Sequence, residues 1–520
     1  MDHQYGNILW MFFVLLAIAC GVLWLVLNKS IAIRFRLAIL SLPIFGLIFF
    51  VWKYEFRSFS GELVPRFRLR GEAALALKAA PAPKIDNFLN EPIEAPQSRV
   101  NASFRQFLGN DRTGYISNIE LSEQWDTEPP TIRWKQPIGL GWSGFAIDVG
   151  LAVTMEEYEE QDSLVAFDWD DGSLRWRRLL GRKHYEVLGG GGPCSTPSIE
   201  GDRVYAQSST GIVCCCNLMT GELLWKIDLL EKAGLIGADA VSIAETAVKW
   251  GRSGSPLLYK DLVVLPFGGA PDKSPAGLIA LDRSTGEERW RGGEAQISYA
   301  SPTVMSIQGV EQIVIVNESS VTGHDPANGS VMWSYDWPGQ SNAAANVSQA
   351  VSIDPFLVLL SKGYGGGTSM LDFTHTTKKA FVISPKWKNH TLLKTKFTNA
   401  VYRDRFLYAL SDGILECVRA EDGKRMWKDA RDGRLGHGQL LVVGRHLLVG
   451  SEDGRCVLGR ATPDSFHKLG EIPVLTGVSW NAIAIAGNRV FMRNGEQAAC
   501  VEVPLVDASP LADKLAERHQ

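Results

Sequence analysis

The stretch that decides the fold is LIALDRSTGEERW, residues 278–290. Its first four residues are apolar and suit a buried strand, and Asp282 can start a turn with its side chain. Gly286 supplies the positive φ that a bulged hairpin needs. The strand that follows carries Trp290, whose large flat ring can pack against a neighbouring sheet. This stretch therefore predicts two antiparallel strands joined by a tight turn.

The same spacing occurs five times along the chain: an acidic or polar residue, Gly four positions later and Trp four positions after that. The copies are Asp168-Gly172-Trp176, Asn217-Gly221-Trp225, Asp282-Gly286-Trp290, Asp325-Gly329-Trp333 and Arg419-Gly423-Trp427. Two further strand signals precede each copy, which makes four strands per unit. The units open near Ser143, Thr196, Ser255, Ser301, Val347, Asn399, Gly438 and Asn481. A period of roughly 40 to 60 residues is typical of propeller blades.

We predict an all-β, eight-bladed β-propeller over residues 104–506, followed by a helical or frayed tail over 507–520. Two units are degenerate, because the fifth keeps only Trp387 and the seventh, residues 442–472, has no Trp. The eighth unit lacks a last strand of its own. Residues 132–135, near the start of the first unit, can supply that strand, which would close the ring and hide the sheet edges.

Two apolar runs precede the propeller. Residues 8–27 form an unbroken run of 20, long enough to cross a bilayer. Residues 37–52 are shorter and contain Pro43, and they can span if Arg36 and Lys53 extend to the interface. The acidic start of the chain does not fit a signal peptide. We predict a two-helix membrane anchor over residues 1–57 and an Ala/Pro-rich linker over 58–103.

The charges around these runs predict the topology. The short loop between them carries Lys29, Arg34 and Arg36, which favours the cytoplasm for the loop. Both termini and the propeller would then lie on the periplasmic, outer side of the cytoplasmic (inner) membrane of a bacterium. The opposite orientation stays open, because Lys53 and the arginines up to Arg70 follow the second run closely.

Residues 278–290 resemble the tryptophan-docking repeat of quinoprotein alcohol dehydrogenases, which also occurs in BamB-like and other bacterial PQQ-like propeller proteins. Residues 104–114, FRQFLGNDRTG, resemble the segment that leads into the propeller in the last group. The resemblance covers about residues 104–503 and implies a quinoprotein-like propeller. It says little about function, because the fold serves enzymes and non-enzymes alike.

The composition and the cysteine pattern restrict which ligands and cofactors the protein can be expected to bind. A net charge of −4 over 520 residues provides no basic field for nucleic acid. Eight cysteines without a Cys-x-x-Cys pair do not fit c-type haem or the common zinc sites. The resemblance implies that a true dehydrogenase of this family has a vicinal disulfide over its cofactor, a catalytic Asp and a calcium ion. Cys214, Cys215 and Cys216 instead align with the third strand of their unit, where they are expected in the core. We therefore assign no catalytic, cofactor-binding or metal-binding residue.

The loops that join blade to blade share one face of a propeller with those between second and third strands, and the blade openings there are unusually polar or aromatic. The candidate ligand-binding residues are Trp142, Ser143, Trp250, Arg252, Tyr299, Asn346, Lys396, Asn399, His437, Trp480 and Asn481. Aromatic and polar groups that converge in a concavity are typical of a ligand site. The alternative is that these side chains plug the channel and satisfy one another. The acidic loop at residues 156–162 on the same face is either a calcium site or a solvated turn.

These observations predict a membrane-anchored binding or scaffold module for a protein, peptide or glycan. The alternative is a quinoprotein-like oxidoreductase that depends on PQQ with calcium. The clean repeats without a catalytic constellation favour the binding module, and hence a protein that is not an enzyme.

Overall fold

The computed structural model describes residues 3–28, 30–59, 63–70, 102–186, 190–268, 277–339, 345–374 and 381–506. The predicted tail over 507–520 and the greater part of the predicted linker lie outside these residues. The chain forms two compact units, Met1–Ala80 and Pro81–Gln520.

The described residues of the first unit form two helices and a hairpin. Its elements are α1 (His3–Leu27), α2 (Ile33–Lys53), β1 (Tyr54–Phe59) and β2 (Pro65–Leu69). Gly6–Leu27 and Ile33–Lys53, of 22 and 21 residues, are long and apolar enough to cross a membrane. Pro43 lies inside α2, and the helix continues past it. The sequence did not predict the hairpin.

The second unit is an eight-bladed propeller, as predicted. Two short strands precede its first blade, β3 (Tyr115–Ile116) and β4 (Thr131–Pro137). Blade 1 consists of β5 (Ala146–Asp148), β6 (Leu151–Tyr158), β7 (Gln161–Asp168) and β8 (Leu174–Gly181). A small hairpin follows, β9 (Tyr185–Glu186) and β10 (Gly190–Gly191). Blade 2 consists of β11 (Ser198–Glu200), β12 (Arg203–Gln207), β13 (Ile212–Asn217) and β14 (Leu223–Asp228). Two helices lead to blade 3, α3 (Leu229–Lys232) and α4 (Ala240–Ala247).

Blades 3 to 5 repeat the same antiparallel order of four strands. Blade 3 consists of β15 (Leu257–Tyr259), β16 (Leu262–Pro266), β17 (Leu278–Asp282) and β18 (Glu288–Gly292). Blade 4 consists of β19 (Thr303–Ile307), β20 (Val310–Val316), β21 (Ser320–His324) and β22 (Val331–Asp336). Blade 5 consists of β23 (Val351–Asp354), β24 (Leu357–Lys362), β25 (Gly367–Asp372) and β26 (Ser384–Asn389).

Blades 6 to 8 complete the ring. Blade 6 consists of β27 (Val401–Arg403), β28 (Phe406–Ser411), β29 (Ile414–Arg419) and β30 (Arg425–Lys428). Blade 7 consists of β31 (Gln439–Val443), β32 (His446–Gly450), β33 (Arg455–Arg460) and β34 (Lys468–Pro473), with β3 added beside β31. Blade 8 consists of β35 (Ala484–Ala486), β36 (Arg489–Arg493), β37 (Gln497–Glu502) and, from the other end of the propeller, β4. The predicted closure is confirmed, with Trp134 opposite Cys500 in the register.

The repeated Gly and Trp hold neighbouring blades together. A Cβ added to Gly286 of blade 3 would lie 2.8 Å from the ring of Trp225 in blade 2, so only a glycine lets the indole lie flat there. The indole of Trp225 also donates to the carbonyl of Arg283 at 3.1 Å. The same ring-on-glycine contact occurs in the pairs Trp134 with Gly172, Trp176 with Gly221, Trp290 with Gly329 and Trp387 with Gly423.

Blade 5 lacks the Asp-Gly-Trp spacing, and the indole of Trp333 on blade 4 therefore has a different hydrogen-bond partner from the other repeat indoles. Trp333 donates to the Gln312 Oε1 of its own blade at 2.5 Å instead of to a carbonyl of the next blade. Its ring still contacts Phe373 of blade 5, with centroids 5.2 Å apart. Apolar packing therefore replaces the hydrogen bond at this junction.

Candidate functional site

The first strand of each blade lies nearest the propeller axis, and the residues just before these strands join the blades. The backbone N–H of Gly144 donates to Thr196 Oγ1 at 3.0 Å, that of Thr196 to Ser255 Oγ at 3.0 Å, and that of Ser255 to Ser301 Oγ at 2.9 Å. The N–H of Gln349 likewise donates to Asn399 Oδ1 at 2.9 Å. Many polar side chains at the blade openings therefore form hydrogen bonds between neighbouring blades.

The segment that leads into the propeller covers one end of the axis. Phe104 pairs with Ile147 of blade 1, and the Arg105 carbonyl accepts from the N–H of Ile199 in blade 2 at 2.9 Å. The buried guanidinium of Arg112 donates to the Pro256 carbonyl at 2.9 Å. Ile147 and Ile199 are the central residues of β5 and β11, and Pro256 directly precedes β15, so the segment runs across the first strands of three blades. The segment therefore forms a floor across that end.

Above this floor lies an axial cavity of about 170 Å³ with largely apolar walls. Its aromatic lining residues are Phe107, Trp142, Trp250, Tyr299, Phe397 and Trp480. Its polar lining residues are His184, Glu186, Cys194, Thr196, Ser253, Ser255, Ser301, Asn399 and Gln439. Together, the aromatic and polar lining residues come from the lead-in segment and from most of the blade openings.

The aromatic rings form two groups. On one side Trp480 lies between Trp142, at a centroid distance of 4.8 Å, and Phe397, at 4.9 Å. On the other side Trp250 and Tyr299 lie 5.2 Å apart. The Tyr299 hydroxyl accepts from the Trp250 backbone N–H at 3.3 Å, and burial raises the pKa of Tyr299 to about 12. Both groups are therefore neutral surfaces at physiological pH.

Three buried nitrogens that belong to cavity-lining residues have no hydrogen-bond partner among the described residues. They are the indole Nε1 of Trp250, the indole Nε1 of Trp480 and the Nε2 of His184. The His184 ring is fixed from its other side, because its Nδ1 lies 2.6 Å from Glu245 Oε1 on α4. A buried donor without a partner costs about 1–3 kcal/mol, so these groups are suited to binding something that enters the cavity.

The structure divides the eleven candidate residues into two sets. Trp142, Trp250, Tyr299, Asn399 and Trp480 line the cavity. The other six lie in the surrounding wall, and several bind the backbone there. Asn346 Nδ2 donates to the Asn317 carbonyl at 2.8 Å, and Asn481 Nδ2 to the Ser143 carbonyl at 2.9 Å. The Arg252 guanidinium donates to the Gly268 carbonyl. Ser143, Lys396 and His437 are also buried.

Sequence reasoning missed most of the polar lining residues, His184 among them, and the aromatic residues Phe107 and Phe397. Phe397 directly follows the candidate Lys396. The sequence therefore predicted this part of the cavity wall but chose the neighbouring residue. His184 lies in the long connection between blades 1 and 2, and Phe107 in the lead-in segment. Neither position is fixed by the repeat, and no signal in the sequence places them at the axis.

Residues 156–162, predicted as a loop, form the end of β6, a two-residue turn and the start of β7, and ion pairs and hydrogen bonds hold several of their side chains. Glu156 is buried and lies 2.7 Å from Arg177, and Glu157 lies 2.9 Å from Lys183. Asp162 Oδ2 accepts from the backbone N–H of Ser209 at 2.7 Å and from its hydroxyl at 2.5 Å. Burial raises the pKa of Asp162 to about 7.

The residues present do not fit a calcium-bound quinone. Among the described residues there is no group of three or more His, Cys, Asp or Glu side chains arranged for a metal ion. Cys214, Cys215 and Cys216 lie in β13 as free thiols, fully buried between sheets and away from the cavity lining. Burial raises the pKa of Cys215 to about 12. We derive no chemical step through such a cofactor.

Eight four-stranded blades, joined by indole rings over glycines and enclosing an axial cavity, define the PQQ-repeat class of β-propellers. A family model described as outer membrane protein assembly factor BamB matches residues 160–429, which is just over half of the chain. The chain belongs to this family.

Solved structures show the same fold at low identity. BamB from Moraxella catarrhalis is 12% identical, with a TM-score of 0.49 over 73% of this chain and 98% of that one. The quinohemoprotein alcohol dehydrogenase ADHIIG from Pseudomonas putida HK5 is 13% identical, with a TM-score of 0.54 over 79% and 81%. A europium-containing methanol dehydrogenase is 10% identical, with a TM-score of 0.52 over 78% and 99%. No curated protein matches the sequence. At 13% and 10% identity, the two dehydrogenases show that the fold is shared and leave the activity of this chain open.

Proposed function

We propose that this protein is a membrane-anchored binding module that holds a group of a protein, peptide or glycan ligand in the axial cavity. The observation that carries this proposal is the pair of indole N–H groups, on Trp250 and Trp480, that lie buried in the cavity wall without a partner among the described residues. A ligand group with a flat apolar face and hydrogen-bond acceptors would satisfy both the rings and these donors.

The surface beside the cavity supports a macromolecular ligand. Two apolar side chains near Trp142 are exposed. They are Leu140, at 43%, and Tyr185 of the β9–β10 hairpin, at 64%. Both lie against Gly191, between the lining residues Gly190 and Gly192. Exposed apolar side chains next to a concave aromatic site are typical of surfaces that contact a partner.

The proposal is tested with the full-length protein in detergent, by recording the quenching of tryptophan emission against a panel of oligosaccharides and short aromatic peptides. We expect saturable quenching by at least one probe. Trp480→Ala should weaken that binding tenfold or more, because it removes a ring and a donor together. The matched control is Phe356→Ala, an exposed aromatic in the turn between β23 and β24 on the opposite face, which should bind as the wild type does.

The same titration distinguishes the binding module from an oxidoreductase. Tight, stoichiometric binding of pyrroloquinoline quinone with calcium, together with oxidation of an alcohol or sugar in a dye-linked assay, would contradict the proposal.

We further propose that the propeller lies on the outer side of the cytoplasmic membrane. Lys29 between α1 and α2, together with Arg34 and Arg36 at the start of α2, supports this orientation. The test is an Ile236→Cys variant of a parent protein in which Cys194 is replaced by Ser, because Ile236 is 81% exposed and the other described cysteines of the propeller are buried. We expect a membrane-impermeant maleimide to label the variant in intact spheroplasts but not the parent protein. Labelling only after lysis would place the propeller in the cytoplasm.

A further inference from the structure

The β1–β2 hairpin continues the second apolar helix without a break. Helix α2 ends at Lys53 and β1 begins at Tyr54, and the backbone N–H of Arg70 returns to the Lys53 carbonyl at 2.9 Å. A helix that crosses a bilayer presents its end at the depth of the lipid headgroups. The hairpin therefore starts at that depth if α2 crosses the membrane.

The register of the hairpin separates its side chains into two faces. Because alternate strand residues point to opposite sides, the pairs Tyr54 with Leu69 and Phe56 with Phe67 share one face. Glu55, which pairs with Arg68 in the backbone register, lies on the opposite face. A bulge between Phe56 and Ser58 shifts the alternation, so that Phe59 rejoins the apolar face. The rings of Phe56 and Phe59 are 5.0 Å apart, as this arrangement requires.

The apolar face is a continuous aromatic cluster that includes the end of α2. Phe50 of the helix lies 4.9 Å from the Tyr54 ring and 4.9 Å from the Phe67 ring. Phe56 lies 6.0 Å from Phe67, and these two side chains are still 47% and 46% exposed. The contacts attach the hairpin firmly to the helix end. Aromatic rings are the side chains that bilayers accommodate best at the interface.

The same segment is strongly cationic. Between residues 53 and 70 the sequence has five cations, Lys53, Arg57, Arg66, Arg68 and Arg70, against the two acids Glu55 and Glu62. The excess is three positive charges in a segment that joins a membrane-spanning helix. Clusters of this kind at a membrane surface are attracted to anionic lipids.

We propose that the hairpin and the end of α2 form a binding site for anionic phospholipid headgroups. The aromatic face enters the boundary between headgroups and acyl chains, and the cations contact the phosphates. Continuity with α2 and charge complementarity identify the bilayer surface, and not a second protein, as the partner. This inference does not depend on the ligand of the propeller.

The first test uses native mass spectrometry of the full-length protein released from nanodiscs of phosphatidylglycerol and phosphatidylcholine. We expect the wild type to retain phosphatidylglycerol selectively. Arg66→Glu combined with Arg70→Glu should lower that retention at least about fivefold, since a single cation near a surface contributes that much. The matched control is Arg133→Glu with Arg405→Glu on the propeller, which should retain lipid as the wild type does. Equal retention by wild type and the Arg66→Glu, Arg70→Glu variant would overturn the proposal.

The second test leaves the charges intact and so does not depend on the folding of a charge-reversed hairpin. A spin label is placed at Val64→Cys, next to β2 and 48% exposed, in a background with Cys20→Ala and Cys194→Ser. In discs with phosphatidylglycerol we expect the label to collide with oxygen more than with a water-soluble nickel chelate. In pure phosphatidylcholine the preference should shift towards the chelate. The proposal would be overturned if the ratio of collisions with oxygen to collisions with the chelate were the same in both lipids.

Discussion

At the scale of single residues, the propeller depends on a flat contact between an indole of one blade and a glycine of the next. Gly286 has a φ of 76°, and a Cβ there would lie 2.8 Å from the Trp225 ring. The glycine is thus required twice, for its backbone conformation and for the space above it.

Gly286→Ala is therefore expected to destabilise the protein by about 2–4 kcal/mol, because overpacking adds to the strain of the left-handed conformation. Gly201→Ala is the matched control, since Gly201 has a φ of 61° and nothing within 4 Å of an added Cβ. It should lose only about 1 kcal/mol, through backbone strain alone. Urea unfolding of both variants measures the difference, and equal losses would show that the ring contact contributes nothing.

The raised pKa of Asp162 predicts a pH dependence of stability. Its ordinary pKa is 3.8, and burial raises it to about 7 in the folded protein. Between these values the folded state holds a proton that the unfolded state has released, so the free energy of unfolding falls as the pH rises from about 4 to about 7. Above pH 7 the penalty is complete and constant.

Asp162→Asn removes this titration and keeps an acceptor for Ser209. We expect the variant to lose less stability than the wild type between pH 5 and pH 8, by an amount on the order of a few kcal/mol at most. Urea midpoints at the two pH values test this. Parallel pH profiles for the two proteins would show that Asp162 is ionised throughout.

At the scale of elements, β4 closes the ring, since it precedes blade 1 in sequence and completes blade 8 in space. Trp134 on this strand lies over Gly172 of blade 1 and donates to the Trp169 carbonyl at 2.9 Å. One side chain therefore connects the last blade to the first.

Trp134→Ala is expected to cost about 3–5 kcal/mol and to open the ring at this junction. Trp290→Ala, which removes the equivalent contact between blades 3 and 4, is the matched comparison. Hydrogen exchange of β37 should accelerate in the first variant and not in the second. Similar exchange in both would mean that β4 is held by its strand pairing alone.

The elements that the sequence predicted belong to the repeat, and the elements that it did not predict lie outside the repeat. Strands of the repeat were predictable because Asp282, Gly286 and Trp290 each fix a local geometry, and the same spacing then placed the other blades. The β1–β2 hairpin and helices α3 and α4 lie outside the repeat. His184 lines the cavity, and its ring is held by Glu245 on α4, a long-range contact that no local pattern encodes.

At the scale of the whole molecule, Met1–Ala80 and Pro81–Gln520 are separate compact units. The propeller has its own closed sheet system and its own core, with the lead-in segment included. Its folding is therefore not expected to need the helices.

A variant that begins at Pro81 should consequently leave the membrane fraction and retain a cooperative unfolding transition. Sedimentation of cell extracts and circular dichroism on heating test both expectations. The full-length protein should sediment with membranes in the same experiment. A truncated protein that unfolds without cooperativity would show that the first unit supports the propeller.

The lead-in segment has a last consequence for how the cavity is used. Because Phe104, Arg105 and Arg112 bind blades 1 to 3 and Phe107 of the same segment lines the cavity, the segment obstructs this end of the axis. We therefore expect a bound group to enter and leave through the opposite, open side. A large partner resting on the open side would trap the occupant beneath it, and the release rate of the small group would then be set by the departure of the large one.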